Sequence, residues 1–318
     1  MIQGKTYTSN NAKLLKHLNT LKGLQDGKIS PIILHLALTN ICNLNCSFCC
    51  FANRKKGDEL SLGQVKLALD SFKNLGTRSL EFTGGGEPTL YPQINEAIDY
   101  AYGLGYKFGL CTNGKTLRRV KDWGKFEWVR LGLYFNEQEY KMDLDYLRSF
   151  DLDVGGTYIY SNVDDEDKNI ENINMIIDFA ESNEIPTRLT VDAVQEKSLI
   201  KRDFQFLKDH LRKGLKYCFL SDFNVQTERK NNHCYMHMIK PFVFPDGFVY
   251  ACPCTGLTAE NNSNVGKLAK ICSIEEAEEY YKKMKVGYRV HKCSFCKYAQ
   301  QNELIEDILT ETEHNEFV

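Results

Sequence analysis

Three cysteines on one short run, Cys42-Asn-Leu-Asn-Cys46-Ser-Phe-Cys49, have the type and spacing to bind metal. A C-x3-C-x2-C loop presents three thiolates, which can hold three irons of a cubane cluster while the fourth stays open to a ligand that is not protein. An open iron is a place where chemistry can happen. Downstream, Gly84-Gly-Gly-Glu-Pro88 offers a dense row of backbone groups and the Glu87 carboxylate. The same cysteines, with Cys50 as a fourth ligand, could instead make a tetrahedral zinc site, because C-x2-C is also a zinc spacing. Adjacent Cys49 and Cys50 are awkward to aim at one tetrahedral ion, and zinc leaves the glycine segment unexplained.

The elements that must position this loop follow from hydrophobic patterning. Leucines 14, 15, 18, 21 and 24 recur with a helical period, which predicts an amphipathic helix over 11–25. Beyond Pro31, short apolar runs alternate with helical patterns. Strands are predicted at 32–38, 78–83, 106–111, 128–134, 153–160 and 187–194. Helices are predicted at about 61–75, 92–104, 115–122, 139–149, 168–183 and 200–213, the first opened by a capping box, Ser61-Leu-Gly-Gln64. Six such βα steps describe an α/β chain with a parallel sheet, and the loops after parallel strands build its site.

Past residue 216 the texture changes. Phe242-Val-Phe-Pro-Asp-Gly-Phe-Val-Tyr250 reads as two short strands around a Pro-Asp-Gly turn, followed by a helix at 274–286 and a tail that is helical from Gln301. Cysteines return here: Cys234, twelve residues, Gly247, four residues, Cys252, a forty-residue gap, then Cys293-Ser-Phe-Cys296. Four such cysteines would also suit zinc. Cys254 is a rival ligand to Cys252, and His233 and His237 flank Cys234. Cys111, Cys218 and Cys272 read as small buried hydrophobes, with Cys111 at a strand end beside Thr112-Asn113-Gly114.

The chain has 318 residues, 42% of them hydrophobic, 12% aromatic and 26% charged, which excludes wholesale disorder. Its net charge of −2 gives no global basic field, so nucleic acid is not favoured as a partner. Arg54-Lys-Lys56 and the basic run 115–121 are read as solvated faces. No stretch approaches the ~20 apolar residues of a membrane span, and Met1–Asn10 lacks the apolar core of a secretion signal. A cytoplasmic location is expected. Twelve cysteines in that setting point to metal or redox work rather than to disulfides.

The cysteine run and Thr83-Gly-Gly-Gly-Glu-Pro88 together resemble the signature of the radical S-adenosylmethionine (radical SAM) enzymes. The resemblance implies a partial (βα)6 barrel over residues 31–215, after an N-terminal helical extension, 1–30. It implies a [4Fe-4S] cluster on Cys42, Cys46 and Cys49, with SAM chelating the open iron. Phe48 would pack near the adenine; Gly84, Gly85, Gly86 and Glu87 would hold the methionine end. Asn113 lies in a triplet the family carries after its third strand, and Arg188, with the Tyr158–Asn162 strand end, would approach the ribose and carboxylate. Many relatives have Ser-Leu-Asp in the fourth strand, whereas this chain reads Arg130-Leu-Gly-Leu-Tyr134-Phe135, so a usual polar contact to SAM is missing or supplied elsewhere. Tyr134 and Phe135 could instead narrow a substrate pocket.

The C-terminal pattern resembles the twitch domain, a shortened SPASM domain, and residues 216–318 are assigned to it. That implies one auxiliary [4Fe-4S] cluster ligated by Cys234, Cys252, Cys293 and Cys296, with the hairpin glycine turning the chain tightly. The implied activity is reductive cleavage of SAM to a 5′-deoxyadenosyl radical, hydrogen abstraction from an unactivated carbon, and oxidation of the substrate radical through the auxiliary cluster. A small-molecule or peptide substrate and a reductant such as flavodoxin or ferredoxin are the implied partners. Peptide epimerisation or cross-linking is the alternative within enzymes, against which the thirty residues before the barrel leave no room for a peptide-recognition domain. A non-catalytic iron–sulfur electron carrier is the alternative outside them, and it would not need Glu87 with its glycines.

Overall fold

A computed structural model describes residues 10–134, 144–162, 165–193, 195–222, 225, 233–253, 270–284, 288–289, 296–310 and 313. Parallel pairing orders its core: β1 (Ile33–Ala37), β2 (Ser79–Thr83), β3 (Lys107–Thr112), β4 (Trp128–Gly132), β5 (Asp153–Tyr160), β6 (Thr187–Val191) and β7 (Cys218–Leu220) lie side by side in sequence order. Helices α1 (Asn10–Leu15) and α2 (Leu18–Gln25) precede the sheet. Crossings are made by α3 (Leu62–Asn74), α4 (Ile94–Gly103), α5 (Leu144–Arg148), α6 (Glu166–Ser182) and α7 (Lys197–His210). The α/β chain with a parallel sheet expected from patterning is the observed architecture, in line with the partial barrel the resemblance implies.

Alternation sorts each strand into two faces. Leu80 and Phe82 of β2, and Val129 and Leu131 of β4, are buried in the core, while Glu81 and Arg130 between them face the other way. Aromatic packing holds the outer layer: the Phe108 and Phe126 rings meet edge-on at 4.8 Å, and Phe82 joins them. Ser61 caps α3 by accepting from the Gln64 N–H, and the Gln64 side chain accepts from the Ser61 N–H, as its spacing predicts.

The C-terminal hairpin extends the same sheet. Strands β9 (Phe242–Val243) and β10 (Phe248–Tyr250) pair antiparallel, β11 (Lys270–Ser273) adds to β10, and β9 pairs parallel with β1, completing ten strands. Gly247 has φ +82°, the left-handed conformation the Pro-Asp-Gly turn requires. Asp246 fixes the turn by accepting from the Phe248 N–H, the Tyr250 hydroxyl and Lys270. A separate ribbon pairs β8 (His233–Cys234) with β12 (Tyr288–Arg289). Short helices α8 (Met236–Ile239) and α9 (Ala277–Lys283) complete this part, and α10 (Ala299–Leu309) packs back on α1 and α2.

Two predicted helices differ from the structure. The segment 115–122 forms no α-helix; the chain makes two 3-10 turns, Leu117–Arg119 and Trp123–Lys125. Leu117, Val120, Trp123 and Phe126 are all buried. Their spacing of three matches the tighter helix rather than the 3.6-residue period. The leader helix breaks at Lys16-His17, leaving Leu14, Leu21 and Leu24 buried and Leu15 and Leu18 exposed. Of the helix predicted at 139–149, residues 139–143 lie outside the described residues, as do Phe135, Cys254 and Cys293.

Candidate functional site

The cysteine loop leaves the C-terminal end of β1 and folds back on itself. The Asn40 N–H donates to the Asp58 carbonyl and the Leu60 N–H to the Leu38 carbonyl, closing its base. Inside the closed loop Arg54 acts as a strut. Its Nε donates to the Asn40 carbonyl at 2.8 Å, and its Nη1 reaches the Phe51 carbonyl at 2.8 Å and the Cys49 Sγ at 3.7 Å. Phe51 anchors the loop from outside, stacking on Phe244 and tilting against Phe242 of the hairpin at centroid distances of 5.6 and 5.9 Å. The hairpin therefore buttresses the loop.

Cys42, Cys46 and Cys49 are all half-buried and carry no disulfide. Burial first, then the proximity of Cys49 and Cys42, pushes the Cys46 thiol up to about 11. Arg54 beside Cys49 and the Asn113 amide, 4.0 Å from the Cys42 Sγ, put N–H donors where thiolate charge would sit. Among the described residues, no three His, Cys, Asp or Glu side chains close round a single metal-ion position. A cubane asks for a different arrangement, with each thiolate on its own iron. The three-thiol donor set with its N–H neighbours fits such a cluster.

The glycine segment touches this loop backbone to backbone. The Gly86 N–H donates to the Thr39 carbonyl and the Glu87 N–H to the Ile41 carbonyl, both at 2.8 Å. A Cβ on Gly85 would stand 1.9 Å from the Asn40 Oδ1, and one on Gly86 would stand 2.0 Å from the Ile41 carbonyl oxygen. Side chains are excluded because the two loops are pressed together. Gly84 is blocked as well, its Cβ falling 1.9 Å from the Gly86 carbonyl.

Glu87 is 2% exposed, and its carboxylate is spoken for within the protein. Its Oε1 accepts from the Thr89 N–H and from the hydroxyls of Thr89 and Thr112, and its Oε2 accepts from the Asn113 N–H at 2.7 Å. Burial pushes its pKa up and these donors pull it back, with burial the larger. Glu87 thus ties the glycine segment to the end of β3, and Asn113, held by that tie, donates to the Asn43 side chain at 2.8 Å. Phe48 packs on Tyr134 with ring centroids 4.7 Å apart, so these two aromatics meet across the same mouth.

Arg188 lies on β6, its Nη2 3.3 Å from the Thr157 hydroxyl. It is the second residue of β6, three residues below the strand's end at Val191, or ~10 Å down the barrel wall. Asn162, at the β5 end, is held by the Asn169 amide. Cys111 does not pack as a small hydrophobe like Cys218 and Cys272, which are buried in the core; its thiol lies 3.5 Å from the Glu81 Oε1.

At the C-terminal cysteines, Asn302 is buried and bridges two chain segments. Its Oδ1 accepts from the Tyr235 N–H, next to Cys234, and its Nδ2 lies 3.7 Å from the Cys296 Sγ. Cys252 packs against the same core as Cys234 and Cys296. His233, a rival ligand by sequence, bonds to Glu306 at 3.0 Å. His237 is fully buried, and burial pushes its pKa down to about 3.

Sequence reasoning missed Arg54, Thr89 and Thr112. Arg54 was visible only as part of a basic run, of which the structure exposes Lys55 and turns Arg54 inward.

Residues 36–148 match the model of the Radical SAM superfamily. That stretch takes in the cysteine loop, the glycine segment and Asn113. It is 34% identical over 87 residues to an S-adenosylmethionine-dependent nucleotide dehydratase of Selenomonas ruminantium, covering 27% of this chain and 31% of that protein. Matches to the first curated relatives span only 25–31% of their lengths. The likeness in fold extends further. Streptococcus suis SuiB bound to S-adenosylmethionine superposes with a TM-score of 0.58 at 17% identity, covering 88% of this chain and 73% of that one. The enzyme anSMEcpe, with bound AdoMet and a peptide, superposes at 0.52 and 13% identity, covering 87% and 96%. Among the described residues no helix is long and apolar enough to cross a membrane.

Proposed function

We propose that this chain cleaves SAM reductively and uses the resulting radical to oxidise a substrate at an unactivated carbon, in the cytoplasm and fed by a reductant such as flavodoxin or ferredoxin. The observation that carries the reading is the pressed contact between the cysteine loop and the glycine segment. It brings the cysteine loop and the glycine segment together at the C-terminal ends of β1 and β2. When bound, the cluster and SAM supply the 5′-deoxyadenosyl radical that removes the substrate hydrogen.

The chain's own residues bind and position. Cys42, Cys46 and Cys49 would ligate three irons, with Arg54 and Asn113 donating toward the sulfurs. Gly84, Gly85 and Gly86 would meet the methionine end of SAM through the backbone groups not used against the cysteine loop, and Glu87 would hold that backbone rather than spend its carboxylate on the ligand. Phe48 and Tyr134 offer flat faces for the adenine. Phe51 and the hairpin cover the loop's outer side against water.

Residues 216–318 form the auxiliary portion in this reading, after a barrel of residues 31–215 and the helices within 1–30. Cys234, Cys252, Cys293 and Cys296 would hold a second cluster there, and Asn302 supports the approach of Cys234 to Cys296. Full cysteine ligation suits that cluster to accepting an electron, which favours net oxidation. Peptide modification is the second reading, because anSMEcpe shares the fold and carries a bound peptide.

The test is release of 5′-deoxyadenosine and methionine from SAM by anaerobically reconstituted protein with dithionite. Equimolar release, absent from a variant with Cys42, Cys46 and Cys49 all changed to alanine, is expected. No release from the wild-type chain with its iron in place would overturn the proposal.

A further inference from the structure

The way the cysteine loop closes fixes where the Arg54 guanidinium can point. Residues 38–60 are tied at their base, where Asn40 and Leu60 donate to the Asp58 and Leu38 carbonyls and Thr39 bridges antiparallel to Glu59. Asn40 is buried and serves both sides of that base: its Nδ2 donates to the Lys55 carbonyl at 3.1 Å, and its own carbonyl accepts from the Arg54 Nε at 2.8 Å. The Phe51 carbonyl accepts twice, from the Arg54 backbone N–H at 3.1 Å and from Nη1 at 2.8 Å. Nη1 also points at the Cys49 Sγ, 3.7 Å away.

The guanidinium is thus held by two carbonyls and aimed at one sulfur. Its neighbours in the basic run do otherwise: Lys55 is exposed and pairs with Asp58, and Lys56 is exposed. A lysine in this place would lack the planar fork that spans two carbonyls and a sulfur at once. A neutral amide could serve the carbonyls, so the positive charge, which a guanidinium keeps in proteins, has its use at the third partner. Cys49 is neutral as a thiol and negative as an iron ligand, and the contact becomes a charge-assisted one when the loop is loaded.

We infer that Arg54 is a positioning residue for electron entry: it holds a fixed positive charge against the Cys49 sulfur and so raises the reduction potential of a cluster bound to this loop. The inference rests on the radical SAM reading of the mouth. Reduction adds one electron, supplied by the external reductant, and no proton, so the bound group gains one negative charge. A nearby cation favours that added charge, and hydrogen bonds to the sulfurs are among the levers that set a cluster's potential. Phe51, packed on Phe244 and Phe242, covers the outer side of the loop. Partial burial there screens the Arg54 charge less than open solvent screens Lys55.

The experiment is a potentiometric titration of anaerobically reconstituted protein, followed by electron paramagnetic resonance of the reduced iron. The signal present in wild type and missing when Cys42, Cys46 and Cys49 are all changed to alanine belongs to this loop. Arg54→Gln should lower its midpoint enough to cut the reduced-to-oxidised ratio at fixed potential about tenfold, or about 59 mV for a one-electron couple. Arg54→Lys should show a smaller drop, and Lys55→Gln, which removes the same charge from an exposed neighbour, should show none. An unchanged midpoint in iron-loaded Arg54→Gln overturns the inference, and so does an equal shift in Lys55→Gln, which would make the effect one of net charge. Where Arg54→Gln takes up no iron, Arg54→Lys decides: a midpoint equal to wild type overturns the inference, and so does loss of iron from both variants in folded protein, which would leave Arg54 a strut alone. Release of 5′-deoxyadenosine from SAM by the same preparations keeps the two proposals apart. Cleavage by wild type with no shift in Arg54→Gln sinks only this one, and a shift without wild-type cleavage sinks only the radical reading.

Discussion

The mouth of the barrel and its inner wall bury polar side chains to opposite effect. At the mouth, Glu87 meets four donors from Thr89, Thr112 and Asn113, and its carboxylate is consumed in holding two loops together. On the wall, Glu81 has His35 and Cys111 for neighbours, with Arg130 next to Cys111. Glu87 joins two loops, whereas Glu81 joins side chains of neighbouring strands. A buried carboxylate near the cluster loop is thus a tether.

The sharpest break between mouth and wall comes from the cysteines. Changing Cys42, Cys46 and Cys49 together to alanine should lower SAM cleavage more than a thousandfold, to background, while the packing of the wall persists. Iron and sulfide analysis of the same protein should find about four irons left, the content of one auxiliary cubane. Loss of essentially all iron from a folded protein would remove the second cluster from the proposal.

Next in size is the pressed contact between the loops. Gly86→Ala puts a Cβ on the Ile41 carbonyl, a backbone group that cannot swing aside. Overpacking of this kind costs about 1–3 kcal/mol. We expect a Tm lower by several degrees and SAM affinity down about a hundredfold, both measurable by calorimetry. Gly103→Ala, where a Cβ meets nothing within 4 Å, should change neither.

Glu81→Gln sharpens the distinction on the other side. It removes the charge beside His35 and Cys111 and should lower Tm while leaving SAM affinity unchanged. Glu87→Gln should lower SAM affinity, because it weakens the tie to Asn113 by pointing a donor or a poorer acceptor at an N–H. Equal effects of the two variants on SAM affinity, measured by calorimetry, would erase the distinction.

How much of this was legible beforehand depended on distance along the chain. The cysteine loop, the glycine segment and the Ser61 capping box are local patterns, and local spacing is enough to read them. The inner wall is not local: His35, Glu81, Arg130 and Arg188 become neighbours only through the register of β1 to β6. A lone histidine in Ile33-Leu-His-Leu-Ala37 and an arginine in Trp128-Val-Arg-Leu-Gly132 were the available signals, each a polar residue at an alternating position of an apolar strand. Arg54 escaped because its partners are loop carbonyls brought back by folding. The run 115–122 misled because positions three apart satisfy α and 3-10 patterns alike until Leu117, Val120, Trp123 and Phe126 are seen buried together.

A third carboxylate gives the smallest effect and extends the contrast to the sheet edge. Glu181, in the last turn of α6, accepts from the backbone N–H groups of Lys216, Tyr217 and Cys218 at 2.7–3.1 Å, fixing the start of β7. Like Glu87 it is a tether, but it is far more open to solvent. Burial pushes its pKa up, yet the three N–H groups together outweigh burial and leave it below the ordinary value. A carboxylate with a depressed folded pKa adds stability above its unfolded pKa of about 4.3 and loses it as pH falls through the folded value. Wild type should therefore exceed Glu181→Gln slightly in Tm at pH 6, with the gap closing as pH drops below 4. A gap that stays constant with pH would mean the three backbone donors are satisfied equally by an amide, and that the charge on Glu181 does nothing for β7.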